Sequence, residues 1–186
     1  MRIEKTDLEG VLLIAPPHFG DHRGFFSESW NKSKLSAAGV DLPEFVQDNH
    51  SMSSEAGTVR GLHFQSPPHA QGKLVRCGRG SIFDVAVDVR KGSPTYGKSY
   101  GRTLSFENGE QLWIPAGFLH GFMTLEADCE IVYKCTDHYA PECDGAVKWD
   151  SCGVVWPIDD LDPIISEKDA QAQTFDSFQT PFQFGE

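Results

Sequence analysis

No stretch of this chain is apolar for long enough to cross a bilayer as a helix. The N-terminus Met1-Arg2-Ile3-Glu4-Lys5 carries an acidic residue where a secretory leader needs a basic start and an unbroken apolar run. Those two absences predict a cytoplasmic protein with no membrane partner. Basic residues are scarce as well: 16 Lys and Arg stand against 27 Asp and Glu, for a formal net charge of -11. Overall repulsion of a polyanion argues against DNA or RNA as a partner, although a few clustered Arg and Lys can still hold a diphosphate. The cysteines (Cys77, Cys129, Cys135, Cys143, Cys152) are odd in number and lack a Cys-x-x-Cys pair, which argues against a disulfide framework and a zinc knuckle and leaves reduced thiols. Internal repeats and low-complexity tracts are missing too. What is present is a chain of 186 residues, 39% hydrophobic and 23% charged, the composition of a folded globular protein. A chain of that length buries roughly 70% of its extended surface, and a single domain spanning residues 1–186 is expected.

Helical periodicity is rare. Short apolar or alternating runs recur instead, separated by Gly, Pro, Asn and Asp, which predicts an all-β fold. Strands are expected at Val11–Ala15, Phe45–Ser53, Val59–Phe64, Lys73–Cys77, Ile82–Asp88, Arg102–Ser105, Gln111–Ile114, Gly121–Leu125 and Glu130–Cys135. Two short helices complete the set, one over Lys32–Ala38 ending at Gly39 and one beginning at Ser166. Many short strands favour a sandwich or a jelly-roll barrel, because closing or doubling a sheet removes exposed edges. The tail after Phe175 is weakly patterned and is expected to pack loosely.

Two segments resemble the paired motifs of the cupin jelly rolls. Gly109, Pro115, Gly117 and His120 have the spacing of the second motif, with Thr124 where Asn is usual, and Pro-x-Gly makes the turn that returns His120 to the barrel mouth. Gly57, His63 and Gly80 have the spacing of the first. There, however, Gln65 replaces the second His and Lys73 stands near the place of the acidic ligand. An ammonium among metal ligands repels the metal, so the expected metal and cofactor content is none. A His at each motif plus a Lys suits general-base chemistry and binding of a developing oxyanion.

The chain also resembles the dTDP-4-dehydrorhamnose 3,5-epimerase family. The likeness runs from about Gly20 to Asp169 through Asp21-His22-Arg23-Gly24-Phe25-Phe26-Ser27-Glu28, Gln47-Asp48-Asn49-His50-Ser51, Val59-Arg60-Gly61-Leu62-His63-Phe64-Gln65 and Ala70-Gln71-Gly72-Lys73-Leu74-Val75-Arg76-Cys77. It continues through Gly117-Phe118-Leu119-His120-Gly121-Phe122, Tyr133-Lys134 and Ser166-Glu167-Lys168-Asp169. The resemblance implies a cupin-like jelly-roll with an N-terminal strand extension and a C-terminal helical segment, a nucleotide 4-keto sugar as substrate, and a homodimer. An open β edge near the N-terminus would suit pairing across a two-fold axis. The ketone of such a sugar acidifies the neighbouring C3 and C5 hydrogens. By the resemblance His63 is the base, Asp169 its orienting carboxylate, Lys73 the donor to the enolate and Tyr133 the acid. Arg23, Glu28, Gln47, Asp48, Asn49, Arg60, His120, Asp144 and Lys168 are implied in binding. Asp144 stands where the family has Glu, and Phe19 or Phe26 is a candidate to stack on the base.

Structural alternatives stand beside several of these roles. Ser166-Glu167-Lys168-Asp169 is a capping-box pattern, in which Asp169 merely caps a helix. Tyr133 is open to a core role, and Arg23 and Arg60 to surface ion pairs. Lys73 differs, because an inward Lys on a strand costs desolvation and needs a reason. The rival functions are a metal-dependent cupin, a non-catalytic sugar-nucleotide binding module, and an epimerase acting at one carbon only.

Overall fold

A short alternating strand buries one face only, so its backbone and apolar side chains are satisfied by pairing into sheets that stack. The computed structural model describes residues 1–158 and 162–185. Its strands are β1 (Arg2–Lys5), β2 (Leu12–Ala15), β3 (His18–Asp21), β4 (Gly24–Ser27), β5 (Gln47–Ser53), β6 (Thr58–Gln65), β7 (Lys73–Arg79), β8 (Ser81–Asp88), β9 (Ser99–Ser105), β10 (Gln111–Ile114), β11 (Phe118–Thr124), β12 (Cys129–Cys135), β13 (Asp144–Ala146) and β14 (Ile164–Ile165). One sheet runs β1-β2-β10-β7-β12-β5. The other runs β13-β6-β11-β8-β9 with β14 added parallel to β6, and β3-β4 forms a separate hairpin. The result is the cupin-like jelly-roll, all-β with short peripheral helices.

Alternation sorts the apolar side chains into three layers. Between the sheets lie Leu13, Val75, Ile82, Ala86, Leu104, Leu112, Phe118, Phe122 and Ile131. The outer face of the first sheet is covered by helix α1 (Lys32–Ala37), which inserts Leu35 against Ile14, Leu74 and Trp113. Asn31 caps that helix by accepting from the Lys34 N–H at 3.0 Å. The second sheet's outer face is covered by the C-terminal third, with Trp156, Phe178 and Phe182 packed on Val85, Val87 and Leu119. The tail is therefore not loose, contrary to expectation: Phe178 and Phe182 are buried and meet the Phe64 ring at 5.3 and 6.0 Å. Phe178 and Phe182 stand four residues apart, a spacing that suits a helix or a strand face alike, but they lie in irregular backbone, so their packing on the second sheet rather than a period buries them.

The expected strands are present with shifted ends. Phe45 lies outside β5 and packs on Trp30 and Trp113 instead, while β11 begins at Phe118 rather than Gly121. Strands β3, β4, β13 and β14 were not expected, and β1 was implied only as an N-terminal extension without bounds. They are two to four residues long and mostly exposed, so they lack the inward apolar positions that make a strand legible.

One irregularity sets the site. Between the cross-strand pairs His63↔His120 and Arg60↔Phe122, β6 takes three residues where β11 takes two. Gly61 sits in that extra step at φ 135°, and a Cβ there would lie 2.6 Å from the Cα of Gly121. Only a residue without a side chain accommodates both the dihedral and the contact. Arg60 and His63, which strict alternation would send to opposite faces, consequently line one cavity. Gly61→Ala should destabilise the protein by about 2–4 kcal/mol in chemical denaturation and abolish activity. A stability within about 0.5 kcal/mol of the unmodified chain would show that the close approach is dispensable.

Candidate active site

The interior between the sheets is divided. One half is the apolar cluster, and the other is a cleft made of two joined cavities of about 480 and 390 Å³ that share His63, Lys73, Tyr133 and Lys168. His63 reaches it from β6 in one sheet, and Lys73 on β7 and Tyr133 on β12 reach it from the other.

His63 Nε2 lies 2.6 Å from Asp169 Oδ1, and Asp169 Oδ2 accepts from the Gly61 N–H at 3.3 Å. Burial raises the Asp169 carboxyl, but the hydrogen bond and charge of His63, the Gly61 N–H and Ser166 outweigh it and hold the group below its ordinary value. An ionised carboxylate only accepts, so His63 donates from Nε2, and Nδ1 is the ring nitrogen that Asp169 leaves unengaged. Only half of the capping-box pattern is realised. Ser166 Oγ accepts from the Asp169 N–H at 3.1 Å at the start of helix α2 (Glu167–Ala170), but the Asp169 carboxylate turns to His63 and Gly61.

Burial pushes the Lys73 ammonium below its usual range, against the attraction of Cys135, Asp144 and Asp84. It makes no salt bridge among the described residues. Burial raises the Tyr133 hydroxyl, with Cys135 adding to the shift and Arg60 opposing it. Arg60 is steadied by bonds to Ser53 Oγ and Met52 O, both at 3.2 Å. His120 is buried at the cavity wall with Nε2 2.8 Å from Asp84 Oδ1. Asp84 was missed in the sequence. It is fully buried, and its Oδ2 has no hydrogen-bond partner among the described residues. The signal was there: Ile82-Phe83-Asp84-Val85-Ala86 places a carboxylate at an inward position, the same anomaly that marks Lys73.

The other expected residues divide into those brought to the cleft and those not. Gln47, Asn49, Asp144 and Lys168 line its smaller arm. Lys168 is partly committed, since Nζ lies 2.5 Å from Asp144 Oδ2, a bond that raises its pKa. Asp48 lies on β5 between Gln47 and Asn49, faces the opposite side, and pairs with Lys134 at 2.8 Å outside the cleft. Arg23 pairs with Asp21 on the exposed hairpin, and Glu28 with Lys34 and Asn31; neither lines the cleft of this chain. Phe19 and Phe26 are exposed on the same hairpin and do not line it either. The exposed aromatic at the smaller arm is Tyr139, a residue that the sequence analysis did not single out. Among the described residues no group of three His, Cys, Asp or Glu side chains is arranged to hold a metal ion. The same residues contain no helix long and apolar enough to cross a membrane. All five cysteines are free and buried.

Comparison with known proteins agrees with this chemistry. The family model for dTDP-4-dehydrorhamnose 3,5-epimerase matches residues 5–177. The dTDP-4-dehydrorhamnose 3,5-epimerase of Sinorhizobium fredii is 50% identical over 190 residues, covering 99% of this chain and 94% of that protein. The dTDP-6-deoxy-D-glucose-3,5-epimerase of Legionella pneumophila, solved with dTDP-4-keto-L-rhamnose, is 42% identical with a TM-score of 0.89, covering 96% of this chain and 94% of its own. A 3'-monoepimerase of Streptomyces bikiniensis, solved with dTDP-quinovose, is 35% identical with a TM-score of 0.83 and covers 91% and 85%.

The depressed Asp169 carboxyl has a stability signature. A folded pKa below the unfolded ~3.9 stabilises the fold above that pH, and the gain is lost as pH falls through the lower folded value. Denaturation midpoints taken downward from pH 5 should therefore drop more steeply for the unmodified chain than for Asp169→Asn. Equal slopes would disprove the ionic coupling to His63.

Proposed function

The chain belongs to the dTDP-4-dehydrorhamnose 3,5-epimerase family, and we propose from its cleft how it inverts C3 and C5 of dTDP-4-dehydro-6-deoxy-D-glucose to give dTDP-4-dehydro-L-rhamnose. It is an isomerase, and its ligand is a nucleotide sugar. The proposal rests on one observation: His63 and Tyr133 enter the same cavity from opposite sheets. Inversion at carbon needs that arrangement, with a base on one face of the sugar ring and an acid on the other.

His63 Nδ1, the ring nitrogen not engaged by Asp169, takes the hydrogen next to the C4 ketone, and Asp169 stabilises the imidazolium that forms. Lys73 donates to the C4 oxygen as negative charge develops there. One preorganised donor of this kind is commonly worth about 3 kcal/mol, and a desolvated ammonium surrenders little hydration in the process. Tyr133 returns a proton from the far wall. Arg60, His120 and Lys168 face the diphosphate. In the smaller arm Tyr139 offers a ring face to the pyrimidine, beside the amides of Gln47 and Asn49.

Incubation with dTDP-4-dehydro-6-deoxy-D-glucose in deuterated water tests the reaction. Deuterium should enter at both C3 and C5. Incorporation at one carbon would instead mark a single-centre epimerase, and none would refute the substrate. His63→Ala should slow exchange by roughly 10²–10⁴-fold while dTDP still binds.

The protein further acts in the cytoplasm as a homodimer. β1 is an unpaired sheet edge, and the neighbouring hairpin exposes Phe19, Phe25 and Phe26, apolar surface that a second copy would cover. Sedimentation equilibrium should return twice the chain mass, and a monomer at micromolar concentration would refute the dimer.

A further inference from the structure

Residues 137–140, which follow β12, form no regular structure, yet all four backbones are held by glutamine side chains. Gln71 Nε2 donates to Asp137 O at 2.8 Å, and Gln65 Nε2 donates to His138 O at 2.9 Å. Gln47 Oε1 accepts from the Tyr139 N–H at 2.9 Å, and Gln65 Oε1 accepts from the Ala140 N–H at 2.9 Å. The Gln65 amide also donates to His69 O, which ties in the loop between β6 and β7. The three glutamines come from β5, from β6 and from that loop, so the clamp joins three separate parts of the chain.

Gln65 is the centre of this clamp. It is buried two residues beyond His63, at the position where the first cupin motif carries a metal-ligating His. A carboxamide donates at one end and accepts at the other, which is what the His138 carbonyl and the Ala140 N–H require together. A carboxylate would face the His138 and His69 carbonyls without a proton to give, and an aliphatic side chain would leave both loop groups buried and unpaired. Between those two bonds stands Tyr139, exposed at the smaller arm of the cleft.

We infer that Gln65, with Gln47 and Gln71, is a positioning residue that fixes the Tyr139 ring for the nucleobase, so that affinity for the nucleotide end depends on it and proton transfer does not. The inference rests on the proposed seating of the pyrimidine against Tyr139. A preformed platform removes the ordering cost that a free loop would meet on binding.

The test measures Kd for dTDP by calorimetry, together with kcat and KM for the 4-keto sugar nucleotide, in the unmodified protein, Gln65→Met, Gln65→Glu and Gln71→Ala. Both Gln65 variants should raise Kd and KM on the order of tenfold, leaving kcat within about twofold and the pH profile of kcat unmoved. Gln71→Ala removes one peripheral bond of the clamp and should shift Kd in the same direction by less, which keeps the test open if a Gln65 variant does not fold. Combining Tyr139→Ala with Gln65→Met should add little to either change alone. An unchanged Kd, or a fall in kcat with KM unchanged, would overturn the clamp. If the unmodified protein turns over substrate but Tyr139→Ala binds dTDP normally, the seating of the base is wrong and the inference falls with it.

Discussion

Gly61 and Gly121 approach more closely than any residues with side chains could, and the geometry of the cleft depends on that contact. The extra residue it permits in β6 rotates the strand between Arg60 and His63, so both face the interior while Leu62 packs outside with the C-terminal layer. The same glycine's N–H holds one oxygen of Asp169, and the other oxygen holds His63. A single irregular step therefore aims His63, sets which ring nitrogen meets Asp169 and anchors the helix that carries that carboxylate. Helix α2 has only four residues, too few to be stable alone, and this tertiary bond supports it.

The rest of the cleft follows from a low-dielectric interior populated by charges. Asp84 is fully buried, and its charge opposes, without overcoming, the lowering that burial imposes on the Lys73 ammonium. His63 and His120, cross-strand partners, each have one ring nitrogen against a buried carboxylate. Such groups are costly to bury, and a fold that only needed stability would carry apolar side chains there. The desolvation is what makes them useful, because an ammonium or imidazole stripped of water interacts strongly with charge that develops on a substrate. The apolar layers on both outer faces make this possible by keeping the sheets rigid and dry behind the site.

The residues proposed for recognition are held differently from those proposed for the chemistry. His63, Lys73 and Tyr133 stand on strands whose positions the sheets enforce, whereas Tyr139 stands on an irregular loop braced by side-chain amides. Gln47 and Asn49, read from the sequence as ligands of a base or sugar, are bonded to each other as well, with Gln47 Nε2 3.1 Å from Asn49 Oδ1. Their amides serve the architecture of the arm at the same time as they line it.

Local pattern alone was enough for the β-rich class, most strand positions, the two helices and the anomaly of Lys73, because period-two alternation, glycine and proline punctuation and an inward charge are all visible over a few residues. The spacing around His63 and His120, with Gln65 and Lys73 in place of ligands, likewise pointed to the cleft that the two sheets form. Other features depended on contacts between distant segments. Asp169 could be a helix cap or the partner of His63 until residues 106 apart were brought to 2.6 Å. Asp48 shares a motif with Gln47 and Asn49 but faces the other way, since a strand turns alternate side chains to opposite sides. The burial of Phe178 and Phe182, the pairing of Asp84 with His120 and the clamp on Tyr139 depend on segments distant in the chain. Each is set by long-range packing and by the need of buried polar groups for partners, which no window of neighbouring residues contains.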